Sequence, residues 1–387
     1  MLAAHFSRFF AANPGLQHFA AHSHHPWPDA TQAAHARYWS DSATRVDRKW
    51  EKVFGEVVPA AQGHVARLLG LSDAKQVAFA PNTHEFVCRL YSCLDVTRPV
   101  RVLATAHEFH SFGRQTRRLV ETGWVRLTEI PAEPYSTFAE RFAAAARGGD
   151  WDLVWLSHVF FDSGFAVRDV GSIVAAAPER ALVVIDGYHA FCALPVDLKA
   201  IHRRAFYLAG GYKYAMSGEG ACFLAVPPGC ALRPVDTGWF ASFETLSGAQ
   251  GALVSYSEGA LRFWGSTFDA SGLYRFNAAM DWLRSLEVDV AAIHAHAIGL
   301  QRRFLEGLER QQSPAGLGGR ALVPPLGVDR GNFLTFEVDD AAALQERLLK
   351  GGIYIDRRGN RLRFGFGVYQ DKAEVELLLE AISRALR

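Results

Sequence analysis

The stretch AFYLAGGYKYAMSGEG at 205–220 sets one lysine, Lys213, between two tyrosines and among four glycines. An apolar run leads directly into it, and few polar neighbours stand nearby to solvate an ammonium. Burying a charged amine is costly. Two readings therefore compete: a lysine on a glycine-rich surface turn, or an amine kept neutral by desolvation so that it attacks a carbonyl as a Schiff-base lysine. A second stretch, ALVVIDGYHAF, ends its apolar run on Asp186. That carboxylate either caps the following turn or faces a ligand at the carboxyl edge of an open α/β sheet. Taken with a lysine after the next strand, Asp186 has the type and place of an anion set against the ring nitrogen of a pyridine cofactor.

These residues need a scaffold that brings strand ends together. QVAFA (76–80), VRVLATA (100–106), WVRLTEI (124–130), DLVWLSH (152–158), ALVVIDG (181–187), AFYLAG (205–210) and ACFLAV (221–226) read as strands by length and by β-branched and aromatic content. Segments of helical period such as TFAERFAAAAR lie between them, so the expected fold class is α/β, with a seven-stranded, mainly parallel sheet covered on both faces. From Ser271 the pattern changes to long amphipathic helices, then the short strands NFLTFEV and NRLRFGF with helices at AAALQERLLK and AEVELLLEAISRAL, an α+β arrangement. SPAGLGGRALVPPLG reads as a loop within it. The expected division is an N-terminal segment 1–30 contributing to the small domain and active site, a large domain 31–270 and a small domain 271–387.

Composition narrows the partners. Lys plus Arg at 41 against Asp plus Glu at 40 leaves a net charge of +1, with no basic excess to suit nucleic acid and no acidic tail. A small-molecule partner is favoured. Five cysteines with no CxxC pair suit a reducing compartment. No run approaches the ~18 uninterrupted apolar residues of a membrane span, and MLAAHFSRFF lacks a leader's apolar core, so the expected location is cytoplasmic.

VVIDGYHAFCALPVDL and LAGGYKYAMSGEGACFLAV together resemble the class V aminotransferase group of pyridoxal-phosphate (PLP) enzymes of fold type I, within it most closely kynureninase. A weaker likeness runs from FAAHSHHPWPDAT to NRLRFGFGVYQDKAEVELLLEAI. The resemblance implies PLP as cofactor and catalytic roles for Lys213, Asp186 and His189. It implies that Thr83, with Asn82 and His84 beside it at a helix start, holds the phosphate together with Tyr212, and that Phe109 stacks on the ring. Ser266 and Thr267 would reach the phosphate from a neighbouring subunit, which implies a homodimer with the active site at the subunit interface. Arg363 would grip the carboxylate of an amino-acid substrate, with Arg361 and Arg357 as close competitors for that role. Trp239, Ser23 and His24 fall on the substrate side.

Departures accompany the match. His22-Ser23-His24-His25 stands where kynureninases read Asn-Ser-Leu-Gly, Phe109-His110-Ser111-Phe112 where they read Phe-Pro-Thr-Asp, and bulky Tyr188 where a small residue is usual. The imidazoles lack a Cys or carboxylate at a spacing that would close a metal site, so no metal is expected. The expected activity is kynureninase-like hydrolytic Cβ–Cγ cleavage. Transfer of the amino group to a 2-oxo acid is the alternative, and a non-catalytic binding protein of the same fold is disfavoured because both Lys213 and Asp186 are present.

Overall fold

The computed structural model describes residues 2–245 and 253–386. All seven apolar runs enter a single sheet: β1 (Val77–Ala80), β2 (Val100–Thr105), β3 (Val125–Ile130), β4 (Leu153–Ser157), β5 (Leu182–Asp186), β6 (Ala205–Gly210) and β7 (Cys222–Ala225). Their spatial order is β1-β7-β6-β5-β4-β2-β3. Pairing is parallel from β3 through β6, while β7 runs antiparallel to both β6 and β1. Every residue of β1, β4, β6 and β7 is buried, as strands covered on both faces require.

The helices are α1 (Ala30–Arg45), α2 (Val58–Leu69), α3 (Thr83–Tyr91), α4 (His110–Glu121), α5 (Phe138–Gly148), α6 (Val170–Ala176), α7 (Ser271–Ser285), α8 (Val290–Arg310), α9 (Ala341–Lys350) and α10 (Lys372–Ala385). A large apolar cluster fills both faces of the sheet. A smaller one gathers α8, α9 and α10 over a second, antiparallel sheet of order β9-β10-β8, formed by β8 (Phe333–Glu337), β9 (Asp356–Arg358) and β10 (Arg361–Gly365). Helix α7 belongs by packing to the larger cluster: Leu273, Phe276, Ala279, Met280 and Leu283 are buried there, and the helix lies against α1. The change of pattern at Ser271 is thus a change from strands to helices, and the smaller core starts with α8.

Strand β9 escapes the sequence pattern because Asp356-Arg357-Arg358 carries no apolar residue. It forms through a two-residue turn, Gly359-Asn360, whose first residue has φ +58°, a conformation that glycine adopts without strain. The N-terminal segment is stitched to the same region: Gln17–His18 pairs in parallel with Ile353–Tyr354, and Ala20 bridges to Gly365. Among the described residues no helix is long and apolar enough to cross a membrane.

Candidate active site

Register sets the site along one row of strand ends. Ala80 pairs with Cys222, Cys222 with Gly210, Leu208 with Asp186, and Asp186 with Ser157. The carboxyl edge of the sheet therefore gathers Ser157, Asp186 and the turn after β6 that carries Lys213. Close packing there requires glycine: a Cβ on Gly210 would lie 2.5 Å from Cys222 Sγ and 2.6 Å from Tyr188 Oη. A cavity of about 200 Å³ opens at this edge, lined among others by Thr83, Phe109, Asp186, His189, Tyr212 and Lys213.

Lys213 lies at its centre, and its side chain is only 8% exposed. Its Nζ is 2.6 Å from His189 Nε2, 4.7 Å from the centre of the Tyr188 ring and 5.2 Å from that of Phe109. Burial lowers its pKa to about 7, with Arg363 and Arg358 acting in the same direction and Asp186 opposing them. Burial, reinforced by Lys213 and Arg363, holds His189 neutral. The other ring nitrogen of His189, Nδ1, is buried with no hydrogen-bond partner. Burial also raises Asp186, against the Tyr188 N–H donated to Oδ1 at 2.9 Å and the Lys213 amine, both of which favour the carboxylate. A near-neutral amine, a neutral imidazole and a buried carboxyl thus share one cavity between two aromatic faces, an arrangement suited to moving a proton at a carbon atom held there.

At the other end, α3 starts at Thr83 behind its N-cap Asn82, whose side chain accepts from Glu85 N at 3.1 Å. Both residues line the cavity, and Tyr212 closes it with its hydroxyl 2.7 Å from His24 Nδ1. His24 therefore enters the site as a partner of Tyr212. His84 does not: it is exposed on the far side of α3, 3.6 Å from Cys88 Sγ, because the helical turn rotates it away from Thr83.

Four further groups of expected site residues lie outside the Lys213 cavity of the single chain. Ser266 and Thr267 are exposed and line a separate cavity of about 220 Å³ with Pro81, Arg89 and Gly238. Trp239 is 44% exposed, tilted against Phe240 with ring centres 4.0 Å apart, and does not line the Lys213 cavity. Ser23 lines a small cavity with Tyr354, Asp356 and Arg358. Arg363 is 1% exposed but does not line the Lys213 cavity: its guanidinium donates to the Phe161 carbonyl and to Asp356 Oδ2, which faces it in strand register. Of its two competitors, Arg361 pairs with Asp162 at 2.9 Å and Glu337 at 3.0 Å, and Arg357 donates to Gln345 Oε1 at 3.1 Å and to the Gly359 carbonyl.

Further contacts beside the site carry no signature in sequence. Glu108 accepts from Thr105 Oγ1 at 2.6 Å, Ser157 Oγ at 2.6 Å and Ser157 N at 3.0 Å, and burial raises its carboxyl to about 7. His22 is fully buried and stacks on Phe333 with ring centres 4.5 Å apart; His189 is tilted against the same ring at 5.5 Å. No spacing rule joins His22 to Lys213. Among the described residues no three His, Cys, Asp or Glu side chains gather as metal ligands, and His25 turns its Nδ1 to the Pro26 carbonyl at 2.8 Å.

A probable cysteine desulfurase of Vibrio cholerae is 22% identical over 373 residues, covering 93% of this chain and 91% of that protein. The isopenicillin N epimerase of Streptomyces clavuligerus is 27% identical over 344 residues, 83% of each chain. Among solved structures, a cysteine desulfurase from Thermococcus onnurineus superposes with a TM-score of 0.79 at 18% identity, covering 96% of this chain and 94% of that one. The cystine C–S lyase C-DES does so at 0.79 and 17% identity, covering 97% and 99%. These structures share the fold type I architecture, and the named relatives are desulfurases, an epimerase and a lyase, so the narrower likeness to kynureninase is not the one they carry. The aminotransferase class-V family model matches residues 20–378, from the segment before the histidine cluster to the last helix, and the chain belongs to that family.

Proposed function

We propose that this protein is a PLP-dependent enzyme that removes the Cα proton of an amino acid and completes its reaction by returning a proton, as in amino-group transfer to a 2-oxo acid. The observation carrying this reading is Lys213, near neutrality at a pKa of about 7, 2.6 Å from His189 and enclosed by Phe109 and Tyr188 over Asp186. When bound, PLP supplies an aldehyde that takes an amine covalently and an electron-poor ring that stores the electron pair of a bond broken at Cα.

The residues fit that group. Lys213 offers the amine, Asp186 the anion for the ring nitrogen, His189 a buried imidazole with a free Nδ1, and the start of α3 with Tyr212 a phosphate seat. Phe109 and Tyr188 supply the walls. Lys213 would take the Cα proton; His189 beside it stays neutral and so would not repel the ammonium that forms. Arg363 is the receptor for the substrate carboxylate, a planar fork matched to two oxygens. Ser266 and Thr267, exposed and outside this cavity, complete the phosphate seat of a second copy, which makes the working unit a homodimer.

Two other outcomes find less support. Sulfur transfer to a protein thiol needs a reactive cysteine at the cavity. Among the described residues Cys222 alone of the cysteines lines it, and burial raises that thiol to about 12. Kynureninase-like Cβ–Cγ hydrolysis is the activity of none of the named relatives. A second reading, epimerisation at Cα, is favoured by the 27% identical epimerase and by His22, a second neutral imidazole close to Lys213.

The test is a panel of amino acids in D₂O, with products and their handedness identified. Deuterium should enter Cα with the wild type, and Asp186→Asn should slow that exchange by about two orders of magnitude or more, since the ring loses its anion. A 2-oxo acid indicates transfer and a racemised amino acid epimerisation. Release of anthranilate or of persulfide sulfur as the main product would overturn the proposal.

A further inference from the structure

Arg363 cannot receive a substrate carboxylate while another carboxylate occupies it. Asp356, directly opposite in the β9–β10 register, accepts from Arg363 through Oδ2. Its Oδ1 accepts from Arg358 Nη1 at 3.1 Å and from the Arg357 N–H at 2.6 Å. His22 Nε2 is 3.9 Å from Oδ2, beyond a hydrogen bond, and neither His22 nitrogen has a partner although the residue is fully buried. The Nε atoms of Arg363 and Arg358 are likewise buried without partners. His22 Nε2 and the two guanidinium Nε atoms are left unsatisfied in the surroundings of this carboxylate, and unpaired buried donors are expensive. Position is not slack either: His22 is held against Phe333 and packs so close to Gly365 that a Cβ there would meet Nδ1 at 2.1 Å.

We propose that Asp356 is a stand-in for the substrate carboxylate, seated on Arg363 in the resting enzyme and handed to His22 and Arg358 when an amino acid arrives. The inference rests on Arg363 as the carboxylate receptor. It accounts for the charges: two guanidiniums face one carboxylate at rest and two when the substrate is bound, so the loaded seat is balanced without a further cation. It also makes the site selective. A ligand lacking a carboxylate cannot displace Asp356, and the seat stays closed to it.

The test measures binding of propionate, a carboxylate without an amine, to the cofactor-loaded enzyme by calorimetry, with propionamide as control. Asp356→Asn should bind propionate about tenfold more tightly than wild type, because the internal competitor is weakened, and Arg358→Gln and His22→Phe about tenfold more weakly, because the displaced carboxylate loses its second seat. Propionamide should distinguish none of them. Unchanged or weaker propionate binding by Asp356→Asn, with binding abolished in Arg363→Gln, would show that Asp356 merely orients the arginine and overturn the hand-over. Propionate binding that survives in Arg363→Gln would remove the receptor itself, and with it that part of the proposed function. Cofactor absorbance and melting temperature report whether each variant folds. Should Asp356→Asn fail to fold, the partly exposed Arg358→Gln decides alone: wild-type affinity for propionate there rejects the proposal.

Discussion

Lys213 concentrates the chemistry because its surroundings remove water without removing every charge. Desolvation favours the neutral amine, and Asp186 at the same cavity keeps the shift from going further. In cofactor-free protein the rate of Lys213 acetylation, followed residue by residue by peptide mapping, should therefore rise with a midpoint near pH 7. The direction follows from the lowered pKa: below the midpoint the amine is protonated and inert, and above it the free base reacts. Surface lysines should not reach half their maximal rate until about pH 10. A Lys213 profile matching theirs would show that the amine is solvated and the cavity open to water. Nothing in residue type alone reveals this shift; what the sequence does show is a lysine among glycines after an apolar run, and the burial comes from Phe109 and from the adjacent pair Tyr188 and His189, converging from two segments distant in the chain.

Strand ends do the positioning, and here legibility divides cleanly. Runs such as LVVID and AFYLAG are apolar throughout because both faces of their sheet are covered, so they stand out without periodicity. Asp356-Arg357-Arg358 does not stand out, being a polar edge strand held by a glycine turn and by register with β10, and with it the counter-ion of Arg363 stays hidden. Resemblance located Arg363 but not its pairing, and it placed His84 and Trp239 at a cavity that neither lines. Close approach at the sheet edge gives a prediction at this scale. Gly210→Ala would press a methyl against Cys222 Sγ and Tyr188 Oη, which costs about 1–3 kcal/mol and tilts the Tyr188 ring into the cavity. Urea denaturation should show the loss, and PLP titration a weaker affinity. Wild-type values for both would mean that the edge yields without strain.

At the scale of the molecule, the two cores are joined beside the site by charges. Arg361 on β10 meets Asp162 at 2.9 Å, and His107 reaches the same carboxylate at 2.7 Å from the loop after β2. Arg361→Met should leave Asp162 short of a cation at a largely buried position and cost about 3 kcal/mol, read as a lower melting temperature; an unchanged melting temperature would mark the pair as incidental. Assembly is tested by mixing. Lys213→Ala and Thr267→Asp subunits, each inactive, should recover roughly a quarter of wild-type activity when refolded together if one copy completes the other's phosphate seat. No recovery in a verified mixed dimer would place Thr267 outside its neighbour's site. The stitching of the amino-terminal segment onto the last strands carries a different consequence, for biosynthesis. Phe19 accepts from the Gly365 N–H at 2.6 Å and Leu2 donates to the Val368 carbonyl at 2.7 Å, so His22 leaves the ribosome long before β10 yet finds its place only when that strand emerges. The sheet edge bearing Lys213 is complete well before then. On the ribosome, the sheet edge with Lys213 is built while the surroundings of His22 and Arg363 still await β10.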